Sequence, residues 1–278
     1  MYLTPNCKIN IGLRVVRKRE DGYHDLETIF YPILALHDEL EIVPATTFSF
    51  VQEGIVVDCP PEQNLIIRCY HRMRERHPEI GEVSIRFRKN IPFGAGLGGG
   101  SSDAAHTAIA LNKLFHIGLT REQLAAEVRP LGADCPFFIY NTPCFAEGIG
   151  DIITPIDFSL KGYRIVMIKP ACGVSTREAY SGLHLSEDKQ DQFSNYPICK
   201  FTNLQVANDF EQSVFPLHPE IAHIKKRLQD AGAFYASMSG SGSTVFGLFE
   251  NDAEGSPRAD LRLLHEEFAQ MILLDDTL

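Results

Sequence analysis

The sequence predicts an α+β fold, long enough for two ordinary domains or one large one, with a mixed N-terminal part (residues 1–158) and a C-terminal part (residues 159–278) compatible with a ferredoxin-like domain. Three observations carry that reading. Residues 7–16 alternate apolar and polar side chains, the period of a strand. A dense glycine run at 94–100 stands between a second alternating stretch and an Ala-rich helical one. In the second half the order is strand, helix, strand, strand, helix and a final short strand, which fits a ferredoxin-like domain.

The elements follow in order. Cys7, Ile9, Ile11, Leu13 and Val15 face one way, and Lys8, Asn10, Gly12 and Arg14 the other. This predicts a half-buried first strand with Lys8 and Asn10 side by side on its outer face. Asp21-Gly22 marks a turn. Strands follow at 26–33 and 39–43, then a helix over 64–77 that Pro78 ends. Val83, Ile85 and Phe87 alternate into the glycine run. From Ser101 onward, Ala104, Ala108, Leu111 and Phe115 recur at helical spacing. Thr120 and Gln123 have the spacing of a capping box. Residues 137–139 and 144–154 read as strand or loop. Ile165 to Ile168 form a short buried strand, and residues 186–200 a polar surface loop. Ile221, Ile224, Leu228 and Ala231 make a helical stripe stopped by Gly232. Strands near 233–238 and 244–249 flank a Gly-Ser loop. Leu261, Leu264, Phe268 and Met271 predict a last helix, and residues 271–275 a last strand.

Composition narrows the function. The 278 residues carry a net charge of −10, from 26 basic and 36 acidic side chains. That balance lacks the basic footprint of a nucleic-acid binder, yet a few local cations suffice to hold a phosphate. The 7 cysteines are odd in number and contain no C-x-x-C, so reduced thiols are expected and zinc-binding spacing is absent. No signal peptide and no stretch of membrane-spanning length is visible, so a cytoplasmic protein without a membrane partner is expected.

The densest signal is the segment Pro92-Phe93-Gly94-Ala95-Gly96-Leu97-Gly98-Gly99-Gly100-Ser101-Ser102-Asp103. Glycines at this density give up packing and conformational entropy, which fits a backbone that must approach something closely. At a helix start that something is an anion, because free N–H groups and the dipole both favour it. The run is not a Walker A loop, since no Gly-Lys-Ser/Thr follows at the required spacing. Gly94, Gly96 and Gly99 match G-x-G-x-x-G. A dinucleotide site would then want an acidic residue at a strand end about 20 positions on, where residues 118–123 read as a helix start.

This segment resembles the second motif of the GHMP kinases. Cys7-Lys8-Ile9-Asn10-Ile11-Gly12-Leu13 resembles their first motif, and Ser239-Gly240-Ser241-Gly242-Ser243-Thr244-Val245-Phe246 their third. The three span nearly the whole chain in the right order. The resemblance implies the two-domain GHMP kinase fold with the active site in the cleft between the domains, and an ATP-dependent small-molecule kinase that uses Mg2+. Asp21-Gly22-Tyr23-His24 and Gly132-Ala133-Asp134-Cys135-Pro136 resemble the branch acting in the non-mevalonate isoprenoid pathway. The acceptor this implies is the 2-hydroxyl of 4-diphosphocytidyl-2-C-methyl-D-erythritol.

Phosphoryl transfer needs held phosphates, charge stabilisation and help for the attacking hydroxyl. The glycine run from Pro92 to Gly100 is expected to hold ATP. Ser101 and Ser102 add hydroxyls for phosphate or magnesium, or cap the helix. Lys8 is the electrostatic candidate, with a solvated strand face as the alternative. Asp134 is the general-base candidate, with a turn or cap as the alternative. By resemblance the aspartate faces the lysine, whose charge keeps it ionised and able to accept a proton. Resemblance also assigns Tyr23 to stacking on the cytosine and His24 to reading its edge. Tyr180 then opposes Tyr23, with Thr176 and Asn10 beside the substrate, and Asn64 and Lys89 line the adenine side. Two departures stand out: Cys7 where alanine is common, and Asp103 where asparagine is common. Other readings are a GHMP kinase for mevalonate, homoserine or a sugar, a non-catalytic nucleotide-binding module, and a nicotinamide oxidoreductase.

Overall fold

The N-terminal alternation becomes a long hairpin at the centre of the chain's architecture. In the computed structural model, which describes residues 1–56, 60–183, 206–252 and 259–278, a short strand β1 (Tyr2–Leu3) precedes β2 (Asn6–Lys18). β2 pairs antiparallel with β3 (His24–His37) across the Asp21-Gly22 turn, where Gly22 has φ +86°. β4 (Glu39–Pro44), β5 (Ser49–Gly54), α1 (Leu65–Arg76) and β6 (Val83–Lys89) follow. Then come α2 (Gly99–Leu114), α3 (Arg121–Val128), α4 (Cys135–Tyr140), β7 (Cys144–Glu147) and β8 (Ile152–Pro155). The second half contains β9 (Arg164–Ile168), α5 (Thr176–Ser181), α6 (Glu211–Val214) and α7 (Pro219–Asp230). It ends with β10 (Tyr235–Met238), β11 (Val245–Phe249), α8 (Arg262–Phe268) and β12 (Ile272–Thr277).

These strands make three sheets, ordered β1-β4-β6-β5, β2-β3-β7-β8 and β10-β11-β9-β12. The last has only antiparallel pairings, with its first strand, β9, inside and its last, β12, at the edge. That is the ferredoxin-like order the sequence predicts.

Three apolar clusters hold the layers together. One packs α1, α2, α3 and α4 against the first sheet, through Tyr70, Ala104, Ala108, Leu111 and Phe137 among others. A second covers one face of the C-terminal sheet with α7 and α8. The third joins Cys7, Ile9, Ile11, Ile29 and Ile33 of the hairpin to Ile165, Met167, Phe246 and Leu248 on the other face of that sheet. The hairpin is therefore buried against the C-terminal sheet on its apolar side.

Four expectations are corrected. β2 is not half-buried: Lys8 and Asn10 are 3% and 2% exposed. Their face is covered by the start of α2 and by aromatic rings, and the Lys8 ammonium lies 4.8 Å from the Phe30 ring centre. Residues 137–139 belong to helix α4. All three are buried, so no alternation or stripe marks them, and Pro136 in the first turn is the local helix signal. α2 begins at Gly99 rather than Ser101, with left-handed Gly98 as its N-cap. β3 runs from His24 to His37, longer at both ends than the strand read over 26–33. The polar stretch 186–200 lies outside the described residues.

Candidate active site

The glycine run closes the floor of a cleft of about 800 Å³. Its conformation explains its composition. Gly94, Gly96 and Gly98 have φ of +62°, +73° and +69°, where side chains are strained. A Cβ on Gly96 would lie 1.9 Å from the Ser239 carbonyl oxygen. One on Gly98 would meet the Phe138 ring at 3.0 Å and the Lys8 side chain at 3.2 Å. Gly94 faces open space, so only its φ calls for glycine there. The first helical hydrogen bond of α2 runs from Ser102 N–H to Gly98 O at 2.9 Å. The N–H groups of Gly99, Gly100 and Ser101 thus precede any helical acceptor, and all three residues line the cleft. The positive end of a 16-residue helix points there.

Lys8 is fixed beneath this loop. Its backbone N–H donates to Leu97 O at 3.0 Å. Its ammonium lies 3.6 Å from Asp134 Oδ2 and donates to Asn10 Oδ1. Burial pulls the Lys8 pKa below its ordinary value, and the Asp134 carboxylate opposes that pull. Asp134 precedes α4 but makes no capping hydrogen bond. Its side chain is 29% exposed and turned to Lys8. Asp134 lies in the turn that leads into α4, closed by Cys135 N–H donating to Gly132 O at 3.1 Å, but its side chain makes no cap bond.

Asn10 links the three Gly- and Lys-containing segments. Its Nδ2 donates to Thr28 Oγ1 at 3.0 Å, which donates to Gly12 O at 2.5 Å. Its backbone N–H donates to Ser239 Oγ at 3.2 Å, and Ser239 donates to Gly96 O at 2.9 Å. One hydroxyl thus bridges β2 and the glycine loop.

The remaining predicted residues divide. Pro92, Phe93, Ala95, Leu97, Ser101, Thr176 and Tyr180 line the cleft. Ser102 does not: it is fully buried, and its hydroxyl faces His106 Nδ1 at 3.3 Å. Side-chain contact with a phosphate is therefore withdrawn for Ser102, because it falls on the inner side of α2. Lys89 lines the cleft wall, but its ammonium is held by Asp38 at 2.5 Å and Asp103 at 2.9 Å. Asp103 accordingly turns back under the loop toward a cation. Asn64 caps α1, accepting from Ile66 N–H at 2.9 Å, and is absent from the cleft lining. His24 stacks on Tyr180, with ring centres 4.5 Å apart and planes 17° apart. Burial, with nearby Lys18, lowers the His24 pKa, which favours the neutral ring that both donates and accepts. Tyr23 is 61% exposed and does not stack on Tyr180. Tyr180 is braced edge-on by Phe210 at 4.7 Å, and burial pushes its phenol up to about 12.

Sequence reasoning missed Asn208. It is 1% exposed, and its Nδ2 donates to Met238 O and Gly240 O, both at 2.8 Å. Gly240 in turn abuts the Lys8 and Asn10 side chains. Next to it, Asp209 accepts from Val15 N–H at 2.8 Å. Neither residue lies in a periodic stretch, and their partners are far away in the chain, so no local pattern marks them.

Comparison with known proteins now decides the family. Residues 64–142 match the GHMP kinases N terminal domain, and residues 199–257 the GHMP kinases C terminal domain. A 4-diphosphocytidyl-2-C-methyl-D-erythritol kinase from Azobacteroides pseudotrichonymphae genomovar. CFP2 is 49% identical over 253 residues, 90% of this chain and 94% of that one. The chain belongs to this family of GHMP kinases. A crystal structure of a 4-(cytidine 5'-diphospho)-2C-methyl-D-erythritol kinase agrees, with TM-score 0.79, 31% identity, and coverage of 98% of this chain and 96% of the other. Homoserine kinase from Cytophaga hutchinsonii covers 90% of this chain and 86% of its own at TM-score 0.64 and 17% identity, a likeness of fold alone. As a member of the family, the chain is an ATP-dependent small-molecule kinase. No helix among the described residues is long and apolar enough to cross a membrane.

Proposed function

We propose that this enzyme transfers the γ-phosphoryl group of ATP to the 2-hydroxyl of 4-diphosphocytidyl-2-C-methyl-D-erythritol, in the cytoplasm. The observation that carries the reading is the Lys8–Asp134 pair at 3.6 Å, facing the open N-terminus of α2 in one cleft. The N–H groups of Gly99, Gly100 and Ser101 bind the nucleotide phosphates. Lys8 stabilises charge on the transferred group, and its burial strengthens that effect. Asp134 orients the acceptor hydroxyl and takes its proton. Asn10 holds the Lys8 ammonium in place. The cytosine is recognised at the His24–Tyr180 stack, with Tyr23 and Thr176 at its margins. Mg2+ fits the oxygen donors on this cleft. The Ser101 hydroxyl, which lines the cleft, would hold it beside the phosphates, whose charge it offsets, whereas Asp103 is committed to Lys89. The gap between β8 and β9 supports a domain division at 158/159.

Turnover with ATP and a panel of acceptors tests the proposal. The cytidine diphosphate acceptor is expected to dominate kcat/KM. Comparable turnover on mevalonate, homoserine or galactose would overturn the substrate assignment while leaving the kinase chemistry standing.

A further inference from the structure

Behind the cleft wall lies a cluster that phosphoryl transfer does not use. Cys172 sits in the loop after β9, His218 just before α7, and Glu220 in the first turn of α7. A thiol sulfur, a ring nitrogen and a carboxylate oxygen from these three lie within 4.8 Å of one another. His218 and Glu220 are two positions apart, but Cys172 lies far from both in the chain, so cysteine spacing gives no hint of the cluster.

The orientation of His218 is the informative detail. Its Nε2 lies 2.9 Å from Glu178 Oε1, and its Nδ1 lies 3.7 Å from Glu220 Oε1. An Nε2–H donated to Glu178 leaves the Nδ1 lone pair facing Glu220. In that tautomer the Nδ1 lone pair faces the cluster beside Glu220 and the Cys172 thiol, whereas a protonated ring pairs with both carboxylates. A carboxylate behind a histidine is the usual support of a metal-bound imidazole. The Cys172 thiol donates to Glu220, and burial together with that bond pushes it up to about 11.

We propose that Cys172, His218 and Glu220 form a site for one thiophilic divalent cation of the zinc class, with Glu178 orienting His218 and water completing the shell. Sulfur, nitrogen and oxygen donors together suit zinc, whereas magnesium and calcium take oxygen. Zinc bonds of about 2.0–2.3 Å would draw the ligands roughly an ångström closer. Coordination replaces the thiol proton, which leaves to solvent as the sulfur becomes a thiolate ligand. The site also has a structural consequence. The Cys172 carbonyl accepts from Ser243 Oγ at 2.6 Å, and residues 173–176 line the cleft. A bound cation would pin this wall to α7.

The test uses the whole enzyme stripped with chelator, with Zn2+ and Co2+ as probes. Calorimetry is expected to show one Zn2+ bound with release of about one proton, read from the dependence of heat on buffer ionisation. Co2+ is expected to give a thiolate charge-transfer band. Cys172→Ser should abolish the band, and Glu178→Gln should weaken Zn2+ binding by about 10–100-fold. Zn2+ should raise the melting temperature of the parent and not of Cys172→Ser. Binding without proton release in the unmutated enzyme, or a thiolate band that survives Cys172→Ser in a variant with native circular dichroism, would overturn the site.

Discussion

Lys8 and Asp134 share one ion pair, and their substitutions separate two kinds of catalysis. Asp134→Asn keeps the shape and removes the base, so kcat should fall by about 10²–10⁴-fold with little change in affinity for the acceptor. A loose transition state would need less of the base and more of the cation. In that case Lys8→Ala should be the more damaging change in single-turnover rates. Asp134→Asn within a few-fold of the parent would leave the carboxylate only a positioning role. The pair also sets a pH dependence. Burial holds the Lys8 pKa below its ordinary value, so the ammonium loses its proton earlier than a free lysine as pH rises. Activity should therefore fall on the alkaline side before pH reaches the usual lysine range. Asp134 opposes that lowering, so in Asp134→Asn the alkaline limb should move to lower pH still. A limb that stays in place would mean another group titrates there. At this scale the sequence is legible where a residue sits in a dense motif, as Lys8 does. It is illegible where exposure decides the role. Ser101 and Ser102 are neighbours in the same motif, yet one lines the cleft and the other is buried against His106.

The element that most limits the site is the loop from Pro92 into α2. Its glycines are required for different reasons, and alanine substitutions should rank them. Gly94→Ala meets only the cost of a left-handed backbone, about 1–2 kcal/mol. Gly96→Ala adds a collision with the Ser239 carbonyl, backbone against backbone, and so should destabilise the most. Gly98→Ala presses on the Phe138 ring and Lys8, side chains that yield by a few tenths of an ångström. It should therefore fold and lose ATP affinity by about tenfold or more. Thermal melts and ATP calorimetry on the three variants check the order. Equal melting temperatures for Gly94→Ala and Gly96→Ala would contradict the contact with Ser239. Periodicity found most elements here, because β6, α1 and α7 each bury one face. It failed for α4, whose Phe137, Phe138 and Ile139 are all buried, so neither the strand nor the helix period is visible. The Lys8 and Asn10 face of β2 misled for the opposite reason. Polar residues usually mark the solvent side of a strand, and here they mark the floor of a cleft.

Across the whole molecule, the site works only if the two halves of the chain keep one register, and Asn208 sits where they meet. Leu13 of β2 bridges in parallel to Asn208, and Leu13 also exchanges backbone hydrogen bonds with Ala207 and Asp209. From that position Asn208 holds the carbonyls of Met238 and Gly240. Ser239, between them, is the hydroxyl that joins Asn10 to Gly96. The chain of contact therefore runs from the N-terminal hairpin, through a segment of the C-terminal half, back to the cleft floor. Asn208→Ala should leave the Gly240 carbonyl without this donor, at about 1–3 kcal/mol, while the Met238 carbonyl keeps the Ser237 hydroxyl at 3.2 Å. Asn208→Asp should cost more, because a carboxylate would face both carbonyl oxygens. The effect on function should be asymmetric. The phosphate-binding N–H groups belong to α2, which is anchored in the N-terminal core, so ATP affinity should change little in Asn208→Ala. Lys8 and Asn10 depend on the Ser239–Gly240 contact, so kcat should fall by about tenfold or more while KM for ATP holds. Calorimetry for ATP beside single-turnover rates, in a variant with native circular dichroism, separates the two. Parallel loss of ATP affinity and rate would show that Asn208 only stabilises the fold, and an unchanged rate would show that the third segment does not position the cleft floor.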